Sequence, residues 1–219
     1  MGRALIFDCD GVLVDSEVLS MGELMRLIRN RDLPISEREA YDLFLGTSTS
    51  HEISYLRERF GIDITEDLSA LRDRLADRFR VDLLAIPGIE QALSRLGGPR
   101  AVASSSNPDR LRLSLGLTGL WDHFAPHVYS ATMVKRGKPA PDLFLMAAER
   151  LGAAPKDCVV IEDSPAGIRA ARAAGMRVVG FLGGAHARPA RLAEKLAALE
   201  PNALVEHAAD LPETLSRMG

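Results

Sequence analysis

The 219-residue sequence predicts an α/β fold, a parallel sheet with helices on both faces and an inserted all-helical subdomain. Three observations carry that expectation. Short apolar runs at 4–7, 100–103, 157–161, 177–180 and 203–205 have the near-continuous hydrophobicity of strands buried on both faces. Most are separated by segments with helical spacing, the rhythm of a parallel sheet. Between the first run and the second lies a stretch, 15–85, in which every periodic segment is helical. The domain division expected is therefore 1–14 and 86–219 for the sheet, and 15–85 for the insert.

The elements follow in order. After the first run come Asp8 and Asp10, then Gly11, which permits a tight turn. Val18, Met21, Met25 and Ile28 recur at helical intervals until Leu33-Pro34 breaks the pattern. Ser36 before Glu37 and Glu39 marks a fresh helix start. Gly46-Thr47-Ser48-Thr49-Ser50 is a polar turn, followed by a stripe of Ile53, Leu56 and Phe60 that Gly61 ends. Leu68, Leu71, Leu75 and Phe79 form the most regular amphipathic face in the chain. Helices are then expected at 89–96, 108–117 (Pro108 suiting a first turn), 141–151 and 165–174. Residues 183–200, with Arg188 and Arg191, are open to reading as a partner-facing loop and helix.

Composition excludes several functions. With 27 basic and 30 acidic side chains the net charge is -3, no footprint for nucleic acid or an anionic membrane. Residues 15–85 hold 15 acidic and 10 basic side chains, and the remainder 15 and 17, so anion affinity has to come from a few specific groups. Cys9 and Cys158 have no metal-like spacing and read as reduced thiols. No signal peptide or membrane-length apolar run is seen, and a cytoplasmic monomer is expected.

Four clusters carry chemistry, each at a predicted strand end, where open α/β sheets place their ligands. Asp8 and Asp10 repel unless a cation or proton lies between them, and a hard divalent ion, Mg2+, suits carboxylate oxygens. Asp8 is the candidate nucleophile, and Asp10, one pleat repeat on, the candidate general acid and base. Ser104 and Ser105, with the backbone N–H groups of the helix that follows, offer a phosphate cradle; helix capping by Ser106 or Asn107 is the competing reading. Lys138, between Gly137 and Pro139 in a chain with only four lysines, supplies a compact positive charge, with Lys135 as alternative. Glu162 and Asp163 repeat the acid pair and can complete a metal shell, against a capping role for Asp163 or Ser164. His123, His127, His186 and His207 fall outside these clusters and read as surface or packing residues.

With those residues in place, the chain resembles the haloacid dehalogenase superfamily, in the group of β-phosphoglucomutase and the small sugar-phosphate phosphatases. Asp8-Cys9-Asp10-Gly11-Val12-Leu13-Val14-Asp15-Ser16 matches the first family motif, Ser104 the second, Lys138 the third, and Glu162-Asp163 with Gly167 the fourth. The resemblance implies a Rossmann-like core and a helical cap. It also implies Mg2+ held by Asp8 and the Asp10 carbonyl, with Glu162 and Asp163 as ligands or hydrogen-bonded just behind them, and an aspartyl-phosphate on Asp8. Asp10 argues against the dehalogenases, which lack it, and the absence of lysine from 15–85 argues against the phosphonate-cleaving relatives. The mutases carry a histidine and an arginine where this chain has 18–20 and 47–50. The expectation is a phosphatase for a small phosphorylated metabolite, a sugar or sugar-acid phosphate, over a mutase or an idle binding protein. Thr47, Ser48 and His51 are expected to bind substrate, with Ser16 and Glu17 as further readers.

Overall fold

The structure, a computed structural model, describes residues 3–45 and 49–218, without the side chains of 49–51. Thr47 and Ser48 therefore lie outside the described residues, as does the side chain of His51.

Six strands form one parallel sheet in the order β3-β2-β1-β4-β5-β6: β1 (Ala4–Phe7), β2 (Arg100–Ser104), β3 (Val128–Ser130), β4 (Cys158–Glu162), β5 (Arg177–Phe181) and β6 (Ala203–Val205). Alternate side chains feed two cores, as the pleat requires. Ala4, Ile6, Ala103 and Val160 face α7 (Asp142–Arg150), α8 (Pro165–Ala173) and α9 (Leu192–Ala197). Leu5, Phe7, Val102 and Ile161 face α5 (Ile89–Arg95), α6 (Pro108–Leu117) and α10 (Leu211–Arg217). Both faces of β1 and β4 are dry, which is why those strands read as unbroken apolar runs. Each fully buried Ile or Phe there contributes roughly 1.5–3 kcal/mol.

Four helices stand between β1 and α5: α1 (Glu17–Asn30), α2 (Glu37–Phe44), α3 (Thr49–Phe60) and α4 (Leu68–Asp82). Met21, Met25, Ile28, Tyr41, Phe44 and Leu56 bury among them. Ser36 and Glu39 form a reciprocal capping box at the start of α2. The chain leaves the sheet and returns to it side by side: Val14 bridges Ala85, Asp15 N–H donates to the Leu84 carbonyl at 2.9 Å, and Ile86 N–H to that of Leu13 at 2.9 Å.

Three features go beyond the sequence expectations. β3 was not expected: Val128-Tyr129-Ser130 is a short edge strand that ends in a serine and forms no continuous apolar run. Of the α4 stripe only Phe79 is buried; Leu68, Leu71 and Leu75 are half-buried and line a cleft. The 183–200 segment, left open as partner-facing, buries His186, Ala190, Leu192 and Leu196 and leaves Arg188 and Arg191 exposed.

Candidate active site

The carboxyl ends of β1, β2 and β4 converge on a cleft of about 780 Å3, closed on its far side by α1, α3 and α4. β1 and β4 are paired in register, Phe7 beside Ile161, so Asp8 emerges next to Glu162 and Asp163. The ligand oxygens of these three buried carboxylates lie within 4.8 Å of one another, close enough to share one metal ion. Burial, helped by Glu162 and Asp163, pushes the Asp8 carboxyl well above the ordinary carboxylate range against the pull of Lys138. Burial and Glu162 do the same to Asp163. Such a cluster holds its full charge only beside a further cation.

Lys138 is one cation. Its ammonium donates to Asp8 Oδ1 at 2.7 Å and Glu162 Oε1 at 2.6 Å, and lies 4.9 Å from the Phe144 ring centroid. Burial works against the charged lysine, but Asp8 and Glu162 outweigh it and raise its pKa. Glu162 is fixed from behind: Ser164 N–H donates to its Oε2 at 2.7 Å, and α8 begins against it. A Cβ built on Gly167 would overlap that carboxylate, so the glycine is a packing requirement. At Gly11, with φ +76°, a Cβ would overlap Asp163 Oδ2.

Asp10 faces a different set of groups. Ser16 Oγ donates to its Oδ1 at 2.5 Å and Ser106 Oγ to its Oδ2 at 2.6 Å, with Ser104 Oγ at 3.4 Å from Oδ2. Arg110 Nη2 donates to Oδ1 at 2.7 Å. Burial would raise the Asp10 pKa, but Arg110 and the two nearer hydroxyls outweigh it and hold the carboxyl below its usual value. Ser104 is buried and also accepts from Ser106 N–H at 3.1 Å; Ser105 is exposed on the cleft wall. Asn107, not Ser106, caps α6, and Ser164 caps α8.

Asp8, Asp10, Ser104, Ser105, Lys138, Glu162 and Asp163 thus line one cleft. Several neighbours have no role, or a different one, in the sequence reading, apart from Glu17, an expected substrate reader that does line the cleft. Ser16, taken there as a substrate reader, serves Asp10. Ser106 was weighed only as a cap. Glu52 lines the cleft, and burial against the opposition of Arg110 raises its pKa to about 7. Burial, reinforced by Asp10, takes Glu17 to about 8. His186 is buried behind Asp163, its Nε2 2.8 Å from Asp163 Oδ2. The approach is off the hydrogen-bond axis, and neither ring nitrogen has a hydrogen-bond partner among the described residues. Arg110 had one sequence signal, a cation in the first turn of a helix, where the macrodipole disfavours it.

The profile of the haloacid dehalogenase-like hydrolases matches residues 3–175, and the chain belongs to that family. It is a phosphomonoester hydrolase, as curated relatives along most of its length are named for that activity. The 6-phosphogluconate phosphatase of Escherichia coli (strain K12) is 29% identical over 189 residues, 85% of this chain and 86% of that one. Hexitol phosphatase A of the same organism is 34% identical over 184 residues, 81% and 82% of the two chains. Among solved structures, a conserved haloacid dehalogenase-like protein of unknown function from Agrobacterium tumefaciens str. C58 superposes with a TM-score of 0.88. It is 38% identical, with 100% of this chain and 99% of that one covered. No helix among the described residues is long and apolar enough to cross a membrane.

Proposed function

We propose that the chain is a magnesium-dependent phosphatase that hydrolyses a sugar or sugar-acid phosphate through an aspartyl-phosphate on Asp8. One observation carries this reading: Lys138 bridges Asp8 and Glu162 beside Asp163, with a separately held carboxyl, Asp10, two residues from Asp8. The all-oxygen, buried donor set of Asp8, Glu162 and Asp163 fits Mg2+, with the Asp10 carbonyl added by family resemblance. The ion would neutralise charge on the transferring phosphoryl group.

The protein residues do the rest. An Asp8 carboxylate oxygen attacks phosphorus, and the ester P–O bond breaks as the Asp10 carboxyl gives its proton to the leaving oxygen. Lys138 and the Ser104 hydroxyl hold phosphoryl oxygens during transfer. Water then attacks phosphorus, its proton passes to Asp10, and the Asp8–phosphorus bond breaks to release phosphate. The Arg110 and serine contacts favour an ionised Asp10, which suits the second half-reaction. For the first, Asp10 has to shed some of them as substrate binds.

Residues 15–85 would act as a cap that closes over the cleft about the paired crossings at Val14 and Ala85 and excludes bulk water. The test is phosphate release from p-nitrophenyl phosphate: magnesium should be required, and Asp8→Asn should lower turnover at least ~10³-fold. Turnover indifferent to EDTA, or to Asp8→Asn, would overturn the reading. A hexose 1-phosphate separates it from a mutase, which would return an isomeric phosphate and little free phosphate.

A further inference from the structure

We infer that Arg110 is the specificity-determining residue for the leaving group, and that it selects phosphate esters carrying a carboxylate at the end remote from phosphorus. The inference rests on the phosphatase reading and narrows its substrate class from sugar phosphates in general to phosphorylated sugar acids.

The two cations that touch the catalytic carboxylates stand on different sides. Lys138 bonds Asp8 and Glu162, where the phosphoryl group is transferred. Arg110 bonds Asp10, the residue assigned to the ester oxygen, so it lies where the leaving group begins. From there it reaches away from the sheet. Nη2 also donates to Ser20 of α1 at 3.0 Å, and the guanidinium carbon lies 5.1 Å from the centroid of the Phe79 ring of α4. A substrate seated on Asp8 and extending past Asp10 into the helical insert passes this side chain.

Arg110 is also preorganised for a second anion. One guanidinium nitrogen, Nη2, makes both of its hydrogen bonds, and the ring of Phe79 fixes its plane. Nε is buried without a partner. Nη1 has no hydrogen-bond partner among the described residues, and the side chain, 25% exposed, opens onto the cleft. A side chain serving only to neutralise Asp10 would have no reason to leave donors unpaired in a cleft wall. An arginine held at Nη2 and over the Phe79 ring loses little rotamer freedom when a carboxylate docks on Nη1. The charged groups facing it are Asp10, Glu17 and Glu52. Burial raises the last two to about 8 and 7, which lessens their repulsion of a substrate carboxylate near neutral pH. Its place in the first turn of α6, against the macrodipole, is a local cost of the kind found at functional positions.

The experiment compares 6-phosphogluconate with glucitol 6-phosphate, which differ by a carboxylate against a CH2OH at the remote end. The wild type should show the higher kcat/KM with 6-phosphogluconate. Arg110→Gln should reduce that preference by ~10–100-fold, as expected for a lost charged hydrogen bond, mostly through KM. Arg110→Lys should restore part of it. Both substrates are read on the same variant, so any loss of folded protein or of Asp10 function cancels in the ratio. A wild type that favours glucitol 6-phosphate or uses neither compound overturns the inference, and so does an Arg110→Gln variant that slows both equally. Activity on p-nitrophenyl phosphate that stays sensitive to Asp8→Asn shows in each case that the phosphatase reading itself stands.

Discussion

Gly167→Ala is the substitution for which local and tertiary physics disagree most clearly. Gly167 sits in the first turn of α8 without a positive φ, so propensity alone makes alanine better by about 0.5–1 kcal/mol. Both oxygens of Glu162, however, would lie within 2.5 Å of the added methyl carbon. A free glutamate could swing aside at little cost. This one is held by Lys138 at 2.6 Å and by Ser164 N–H at 2.7 Å. Moving it forfeits a charged hydrogen bond, about 1.5–3 kcal/mol, and adds roughly 1–3 kcal/mol of overpacking. The tertiary terms win, and the net expectation is destabilisation by about 2–5 kcal/mol. Urea unfolding in EDTA measures it, free of any contribution from bound metal. The mechanism is tested by repeating the change in a Glu162→Ala background, where the methyl meets open space and alanine should become neutral to stabilising. The coupling energy should then equal most of the single-variant loss. Equal effects in the two backgrounds would refute the clash. Gly22→Ala is the control: it lies inside α1 with nothing within 4 Å of the new carbon and should stabilise by about 0.5–1 kcal/mol.

Two further outcomes follow from the same cleft. Magnesium at 100 times its dissociation constant should stabilise the protein by about 2.7 kcal/mol relative to EDTA, a rise in Tm of roughly 5–10 °C by differential scanning fluorimetry. No shift would remove the metal from the proposal. Glu52 has a folded-state pKa of about 7 against an ordinary 4.5, so between those values the folded chain keeps a proton that the unfolded chain has lost. Stability therefore falls as pH rises through that window, and Glu52→Gln should narrow the Tm difference between pH 5 and pH 8; an unchanged difference would refute the assignment.

What could be read from the sequence divides along physical lines. The runs at 4–7 and 203–205 are strands with those bounds, and the helix at 108–117, with Pro108 in its first turn, has the expected ends. In each case the signal is local, either a strand's continuous apolarity (unbroken at 203–205 even though Leu204 is exposed on the edge strand) or the chemistry of a helix start. The convergence of Asp8, Ser104, Glu162 and Asp163 was legible because parallel strands deliver their carboxyl ends to one edge, whereas Lys138, eight residues past β3, was legible only from its setting between Gly137 and Pro139. The α4 stripe misled because periodicity reports an apolar face without saying what it faces; Leu68, Leu71 and Leu75 turn to the cleft. The partners of Arg110, Ser106 and His186 were out of reach for a related reason. These residues act on carboxylates 100, 96 and 23 positions away, and no sequence period connects such partners.

The distribution of charge explains why the proposed ion should be divalent and where it should sit. Asp8, Asp10, Glu162 and Asp163 bring four negative charges to one buried edge, and Lys138 and Arg110 return two. An uncompensated charge there costs several kcal/mol, so the remainder has to be met by protons or by a doubly charged ion. The protein cations are not shared evenly: Lys138 takes Asp8 and Glu162, and Arg110 takes Asp10. Asp163 has only His186 within ion-pair distance among the described residues, and burial lowers the pKa of that imidazole, which disfavours its charged form. Asp163 is thus the carboxylate left to the ion. Asp163→Asn should leave the metal-free protein folded, and even relieve repulsion within the acid cluster, while abolishing the stabilisation by magnesium. If the variant keeps the magnesium shift of the wild type, the ion is held elsewhere and this allocation of charges is wrong.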